Sequence, residues 1–232
     1  MNFDPVAREY DFAGALLQDH SFFLRNLSQG RRRALDVGCG SGLLTSALAP
    51  HYGEVVGIDI SQEMLALARA TRGAPNITYL EMDAHHPALG QPFDLIVSRT
   101  TLHHLADLPA VLEAWKALLA PGGRLVLLDN VSERPTPPTW SYVAGALLAF
   151  PGRARRFGLS TAVRLFRHET SRPWLAHLAS DRYLSEAGFR ELYGGALPGC
   201  QFHRLGCFMG VVWDLCQPPR TSRSAVSDGE NR

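Results

Sequence analysis

The 232-residue chain is 46% hydrophobic and 19% charged, with a formal net charge of +1. That is the profile of an ordinary folded protein with ample core material, and its length suits one α/β domain with an elaboration or at most two small domains. A charge so near zero argues against a protein built mainly to hold nucleic acid. Among its 23 basic residues only Lys116 is a lysine, a bias of composition without functional content.

Residues 12–29 carry an amphipathic pattern that predicts a helix or helix pair over the entrance to the core. The run ALDVG (34–38), apolar and bounded by charge and glycine, predicts a buried strand. From Gly42 the spacing of Leu43, Leu44, Ala47 and Leu48 turns helical. A second strand is predicted at 54–60, followed by Ser61 as the cap of a helix holding Met64, Leu65 and Ala68. ITYLEMD (77–83) and FDLIVSR (93–99) read as the third and fourth strands. A helix is predicted over 108–120, ended by Pro121, Gly122 and Gly123, and RLVLLDN (124–130) as the fifth strand. Near-continuous apolar strands alternating with helices imply a parallel sheet covered on both faces.

The rhythm breaks over 131–182, where prolines, an apolar helix candidate (140–150) and six arginines between 153 and 172 suggest a helical insertion. A helix is then predicted to end at Gly188, with a strand beginning beyond it and a final strand over 206–215; these two strands could form an antiparallel edge. One domain is therefore expected over 1–216, and a disordered tail over 217–232, which is rich in Pro, Ser and Arg. No secretory pattern or membrane-length apolar run of ~20 residues is found. Cys39, Cys200, Cys207 and Cys216 form no CxxC pair, so a cytoplasmic protein with reduced thiols is expected.

The stretch LDVGCGSGLL (35–44) sets three glycines behind the first strand, where open α/β sheets bind ligands. Gly38, Gly40 and Gly42 permit positive φ and close approach to the backbone. A dinucleotide fingerprint would need a glycine where Leu43 stands, and a phosphate-binding P-loop would need a lysine that is absent. A tight turn without a ligand remains the alternative from the loop alone.

Five elements in order, LDVGCGSG, VVGIDIS, YLEMDAHHPAL, FDLIVSRTTLHHL and LLAPGGRLVLLD, resemble the class I S-adenosylmethionine-dependent methyltransferases. Within them they resemble the small-molecule group that includes ubiquinone- and menaquinone-biosynthesis enzymes. The resemblance covers roughly residues 8–130. It implies a Rossmann-like fold with a mostly parallel seven-stranded sheet, helices on both faces and a helical insertion after strand 5. It also implies S-adenosyl-L-methionine as cofactor.

The resemblance further implies a cofactor site made from Tyr10, Asp36, Gly38, Cys39, Gly40, Asp59, Ile60, Met64, Asp83, Ala84, Ser98 and Arg99. Asp59 would accept from the ribose hydroxyls and Asp83 from the adenine amino group, with Ala84 at the ring edge and Met64 over the purine. Asp36 would hold the loop amides or the ammonium group. Ser98 and Arg99 would lie at the methionine portion, and Tyr10, with Arg8 as second candidate, over the carboxylate.

His103 and His104 in TTLHHL are the candidate general bases, against a packing role for each. His85 and His86 read as adenine-side loop residues. No metal is expected, the raw material being His168 with Glu169, His177 with Asp181, and Cys200 with His203. The acceptor pocket is expected between the N-terminal helices and 131–205, with walls drawn from Trp140, Tyr142, Phe150, Phe157, Phe166, Trp174 and Tyr193.

The predicted partner is a small, aromatic or lipid-like acceptor, methylated on O, N or C. Nucleic acid is not expected, membrane-surface contact is disfavoured, and monomer and homodimer stay open. The rivals are a nucleic-acid or protein methyltransferase and a cofactor-binding protein that moves no methyl group.

Overall fold

The computed structural model describes residues 7–135 and 137–215, so the tail expected over 217–232 lies outside the described residues. Strands β1 (Arg33–Val37), β2 (Glu54–Asp59), β3 (Ile77–Glu81), β4 (Phe93–Arg99), β5 (Leu119–Asn130), β6 (Gln201–Leu205) and β7 (Phe208–Asp214) build one sheet. Its order is β3-β2-β1-β4-β5-β7-β6. The first five strands run parallel, and β7 lies antiparallel to both β5 and β6. The order reverses between β1 and β4, which opens a crevice at the carboxyl ends of the strands.

Alternation along each strand divides the core into two layers. Leu35, Val37, Ile96, Leu125 and Leu127 face α5 (Leu108–Ala117) and α9 (Glu186–Ala196), which supply Val111, Trp115, Phe189 and Tyr193. Ala34, Leu95, Val97, Val126 and Leu128 face Phe22 and Phe23 of α2 (Ser21–Arg25) and Leu44 and Leu48 of α3 (Leu43–Leu48). Each large side chain so buried stabilises the fold by about 1.5–3 kcal/mol before entropy is counted. Helix α1 (Ala7–Leu17) crosses the open end of the sheet, and α4 (Gln62–Thr71) starts at Ser61, whose hydroxyl accepts from Met64 N at 3.2 Å.

Three boundaries differ from the sequence reading. Helix α9 runs through Gly188 to Ala196, because its buried stripe of Phe189 and Tyr193 outweighs glycine's poor helix propensity. Helix α5 stops at Ala117, and Pro121, Gly122 and Gly123 lie inside β5 as an irregularity. The register jumps there from Phe93↔Leu119 to Leu95↔Arg124. The N-terminal pattern resolves into two helices, with the first beginning at Ala7.

Between β5 and α9 lie α6 (Thr139–Phe157), α7 (Leu159–Glu169) and α8 (Arg172–Ser180). Both ends of this excursion are tied together. Val131 bridges Leu184, Ser132 N donates to Leu184 O at 2.9 Å, and Tyr183 N donates to Pro135 O at 3.0 Å. Arg153 pairs with Glu169, and Arg164 forks onto Glu9 of α1 at 2.9 Å. Arg155, Arg156, Arg167 and Arg172 are exposed, as are Trp140 and Leu148 on α6. No helix among the described residues is long and apolar enough to cross a membrane.

Buried Trp115 donates from Nε1 to Ala84 O at 2.8 Å, pinning the loop after β3 to α5. Trp115→Phe leaves that carbonyl unpaired and is expected to lower unfolding free energy by about 1–3 kcal/mol, measured by urea titration.

Candidate functional site

The loop after β1 has φ of +71°, +52° and +81° at Gly38, Gly40 and Gly42. A Cβ at Gly38 would lie 2.2 Å from Thr101 Oγ1, and one at Gly42 2.3 Å from the Tyr79 hydroxyl, so both positions need glycine. Gly38 N and Cys39 N donate to Ile58 O at 2.8 and 2.9 Å. Gly40 N donates to Asp59 Oδ2 at 2.8 Å, and Asp59 Oδ1 accepts from Ser61 N at 2.9 Å. Burial raises the pKa of Asp59, against the pull of these amides.

Beside the loop lies a cleft of about 200 Å³. Nine of the twelve residues proposed from sequence line it: Tyr10, Gly38, Gly40, Asp59, Ile60, Met64, Asp83, Ala84 and Arg99, joined by Met82, Thr101 and Leu105. Asp36 and Cys39 line a smaller recess under the loop, together with Gln18 and Ser41.

Four expectations need correction. Ser98 is fully buried and its hydroxyl donates to Val37 O at 2.9 Å, holding β4 to β1 away from the cleft. The Cys39 thiol packs with Leu65, Ala68 and Tyr79, so its contribution is its backbone. Of the two roles expected of Asp36, the loop-amide one falls to Asp59, since Asp36 accepts from Thr45 Oγ1 at 2.7 Å; it still lines the recess beside the loop. Arg8 is exposed and lines none of these cavities.

Asp83 accepts from His85 N at 2.9 Å and from His85 Nδ1 at 2.7 Å. These bonds hold its carboxyl below the usual range. His85 Nε2 in turn accepts from Ala106 N at 3.2 Å, which fixes the proton on Nδ1. His86 is exposed.

A second cavity, of about 300 Å³, opens between α1 and the inserted helices α7 and α8. It shares Tyr10, Arg99, Thr100 and His104 with the first, so the two meet at the end of β4. Thr100 holds φ +51° there, a strained value for a β-branched residue. Arg99 is largely buried, which lowers its pKa, and its Nε lacks a hydrogen-bond partner among the described residues.

The wall of this second cavity is not the aromatic surface expected. Trp174 alone of the seven anticipated aromatics lines it; Tyr193 is core, Phe150 packs edge-on against Phe166, and Trp140 faces solvent. The lining joins Tyr10, Trp174, Tyr183 and Phe208 with a polar cluster of His103, His104, His168, His177, Glu169 and Asp181.

His103 donates its backbone N–H to Asp129 Oδ2 at 2.8 Å, and its Nδ1 lies 2.6 Å from Asp129 Oδ1. Burial depresses its pKa, but the hydrogen bond and charge of Asp129 more than offset that, and the net shift is upward. His104 is pushed down to about 3 by burial and by the neighbouring His103 and His177.

Residues 35–127 match the family model described as a methyltransferase domain. The chain is 34% identical to the biotin biosynthesis bifunctional protein BioCD of Bordetella avium, over 55% of this chain and 30% of that protein. It is likewise 34% identical to the ubiquinone biosynthesis O-methyltransferase of Aeromonas salmonicida, over 45% of each chain. The solved structure of a DhpI–SAH complex superposes with a TM-score of 0.63 at 20% identity, covering 93% of this chain and 94% of that one. Residues 35–127 thus resemble a methyltransferase domain, and the fold that carries them is the class I methyltransferase fold. The chain spans less than half the length of these curated relatives, while its whole fold is that of the solved methyltransferase structures.

The sequence reading left Asp129, Tyr183 and Thr100 unassigned. Asp129 stood inside a recognised strand motif, and its position at the carboxyl end of a sheet strand was the available signal. Tyr183 gave none, since its proximity to the histidines arises only when the inserted helices return. Of the candidate metal ligands, Cys200 bonds toward Tyr193 O and His203 packs on Phe22, apart from one another's chemistry.

Burial pushes the Asp36 carboxyl up to about 7, with Asp59's charge adding to the shift and Thr45 opposing it. The folded protein then binds this proton more tightly than the unfolded chain. The contribution of Asp36 is fully present below the ordinary carboxyl pKa and is lost as pH rises toward 7. Asp36→Asn should flatten that decline between about pH 4 and 7, read from denaturant midpoints across pH.

Proposed function

We propose that this protein is an S-adenosylmethionine-dependent methyltransferase acting on an O, N or C atom of a small metabolite. In this reading 1–216 form one domain whose 131–182 segment covers the acceptor. The observation that carries the reading is the meeting of two cavities at Tyr10, Arg99, Thr100 and His104, one suited to a donor and one to an acceptor. The SAH of the DhpI complex supports the donor, and the O-methyltransferase relative supports a small-metabolite acceptor.

The donor cleft fits a nucleoside with an amino-acid end. Asp59 presents a buried carboxylate for vicinal hydroxyls, and exposed Ile60 with Met64 and Met82 offers apolar surface to a purine. Asp83 and the Ala84 backbone lie at the far end of the same cleft. At the near end, the unpartnered Nε of Arg99 suits a carboxylate. When bound, S-adenosylmethionine supplies a methyl group on a sulfonium sulfur, which keeps the C–S electron pair as the group leaves.

The chain's own part is positioning, in which alignment of the two reactants contributes most of the rate gain. Tyr10, Trp174 and Tyr183 bound the acceptor cavity with ring faces, suited to a small aromatic acceptor. His103 and His104 orient the nucleophilic atom and ease the loss of its proton. A cavity of about 300 Å³ beneath α1 and α8 favours a metabolite over a nucleic acid or protein chain. The three described cysteines are free thiols, consistent with a cytoplasmic setting.

Incubation with labelled S-adenosylmethionine and a panel of phenols, quinols and amines should release S-adenosylhomocysteine with at least one acceptor class. Tight cofactor binding without any turnover across the panel would favour the non-methylating rival. Asp59→Ala should weaken cofactor binding by about 1–3 kcal/mol, and unchanged affinity by calorimetry would remove Asp59 from the site. His103→Gln and His104→Gln should each lower kcat by roughly 10²-fold or more while the fold, followed by circular dichroism, persists. Full turnover in both variants would make the pair structural.

A further inference from the structure

We infer that His103, His104 and Asp181 form a binding site for a divalent transition cation on the acceptor side of the methyl-transfer junction. The inference rests on the methyltransferase reading for its role, but the site stands on its own geometry. One donor atom from each residue falls within 4.8 Å of the others. His103 Nε2 lies 3.8 Å from Asp181 Oδ2, and His104 Nδ1 lies 3.7 Å from Asp181 Oδ1. These separations are too long for direct hydrogen bonds. Donors bound to Zn²⁺ at about 2.0–2.2 Å stand roughly 3–3.6 Å apart, so each histidine–carboxylate pair lies within a few tenths of an ångström of a ligating separation.

The surroundings are those of a prepared ligand set. Asp129 takes the Nδ1 side of His103 at 2.6 Å and its backbone N–H at 2.8 Å, which turns Nε2 toward Asp181. A carboxylate behind a histidine is the usual outer support of a metal-bound imidazole. Tyr183 donates its hydroxyl to Asp181 Oδ2 at 2.8 Å. The Asp181 side chain is only 2% exposed, and its Oδ1 has no hydrogen-bond partner among the described residues. An ionised carboxylate in that state calls for a cationic partner.

The donor chemistry selects the ion. Two imidazoles and one carboxylate suit Zn²⁺ or a similar first-row dication, with remaining positions open to an outside ligand. Those positions face the cavity that His103, His104 and Asp181 line together. An acceptor hydroxyl bound there would be polarised and would lose its proton more readily, the Lewis-acid role of a catalytic metal. This gives the histidine pair a ligand role in easing proton loss, in place of direct proton transfer. The alternative occupant of the gap is a proton, with His103 as an imidazolium held between Asp129 and Asp181.

The test uses untagged full-length protein stripped with a chelator and dialysed. Co²⁺ should bind with one equivalent per chain and give the visible absorption of a low-symmetry N/O site, and Zn²⁺ should displace it. Asp181→Asn and His104→Gln should each weaken Zn²⁺ binding at least tenfold by calorimetry. S-adenosylhomocysteine binding to Asp181→Asn should stay within about twofold of wild type, since Asp181 does not line the donor cleft. Wild-type protein that binds S-adenosylhomocysteine but shows no stoichiometric Co²⁺ spectrum overturns the metal site and leaves the methyltransferase reading standing. Zn²⁺ binding untouched by both substitutions overturns the assignment of these ligands. If the variants fail to fold, the wild-type Co²⁺ spectrum alone decides.

Discussion

The loop after β1 is stitched to the end of β2, and the donor cleft depends on that seam. Three consecutive amides, from Gly38, Cys39 and Gly40, find their acceptors at Ile58 O and the Asp59 carboxylate. The loop's own backbone conformation leaves these amides pointing sideways, where an open sheet would expose them. Parallel pairing of β1 with β2 puts Val37 beside Ile58, so the first free carbonyl and the first free carboxylate of β2 arrive where they are needed. Asp59 therefore has two tasks. It closes the loop with Oδ2, anchors Ser61 with Oδ1, and still borders the cleft.

The acceptor side rests on a different constraint, the return of the inserted helices to the point they left. The Val131–Leu184 bridge and the paired backbone bonds of Ser132 and Tyr183 bring Asp181 and Tyr183 against the end of β5. Asp129 is already there, holding the His103 turn. Two buried carboxylates thus flank one histidine from opposite sides, although about 50 residues of chain separate them. Arg164, forked onto Glu9 and set over the Phe12 ring, ties the same helices to α1. Exposed ion pairs contribute little alone, so this contact chiefly fixes the angle at which α7 meets α1.

The sheet was largely legible because buried parallel strands announce themselves as apolar runs between glycines and charges. Legibility failed where a local signal had two meanings. Pro121, Gly122 and Gly123 look like a turn, yet pairing with β4 on either side of them keeps them in β5 as an irregularity. Gly188 looks like a helix end, yet Phe189 and Tyr193 gain more from burial than glycine loses. Gly38, Gly40 and Asp59, whose placement follows from backbone position at strand ends, do line the cleft. Ser98 and the amide role of Asp36 were misjudged because strand alternation and a hydroxyl nine residues away, Thr45, engage their side chains.

By itself the sequence determined the layered α/β fold, the glycine loop and the carboxylates at two strand ends. Hydrophobic periodicity and glycine's access to positive φ act over a few residues and survive in a one-dimensional reading. Only the tertiary structure decided which aromatics line the second cavity, and that His103, His104, Asp129, Asp181 and Tyr183 belong together. Those residues come from three distant segments, and what joins them is the docking of the inserted helices on the sheet edge. Such a contact depends on how whole faces pack, and no local pattern encodes it.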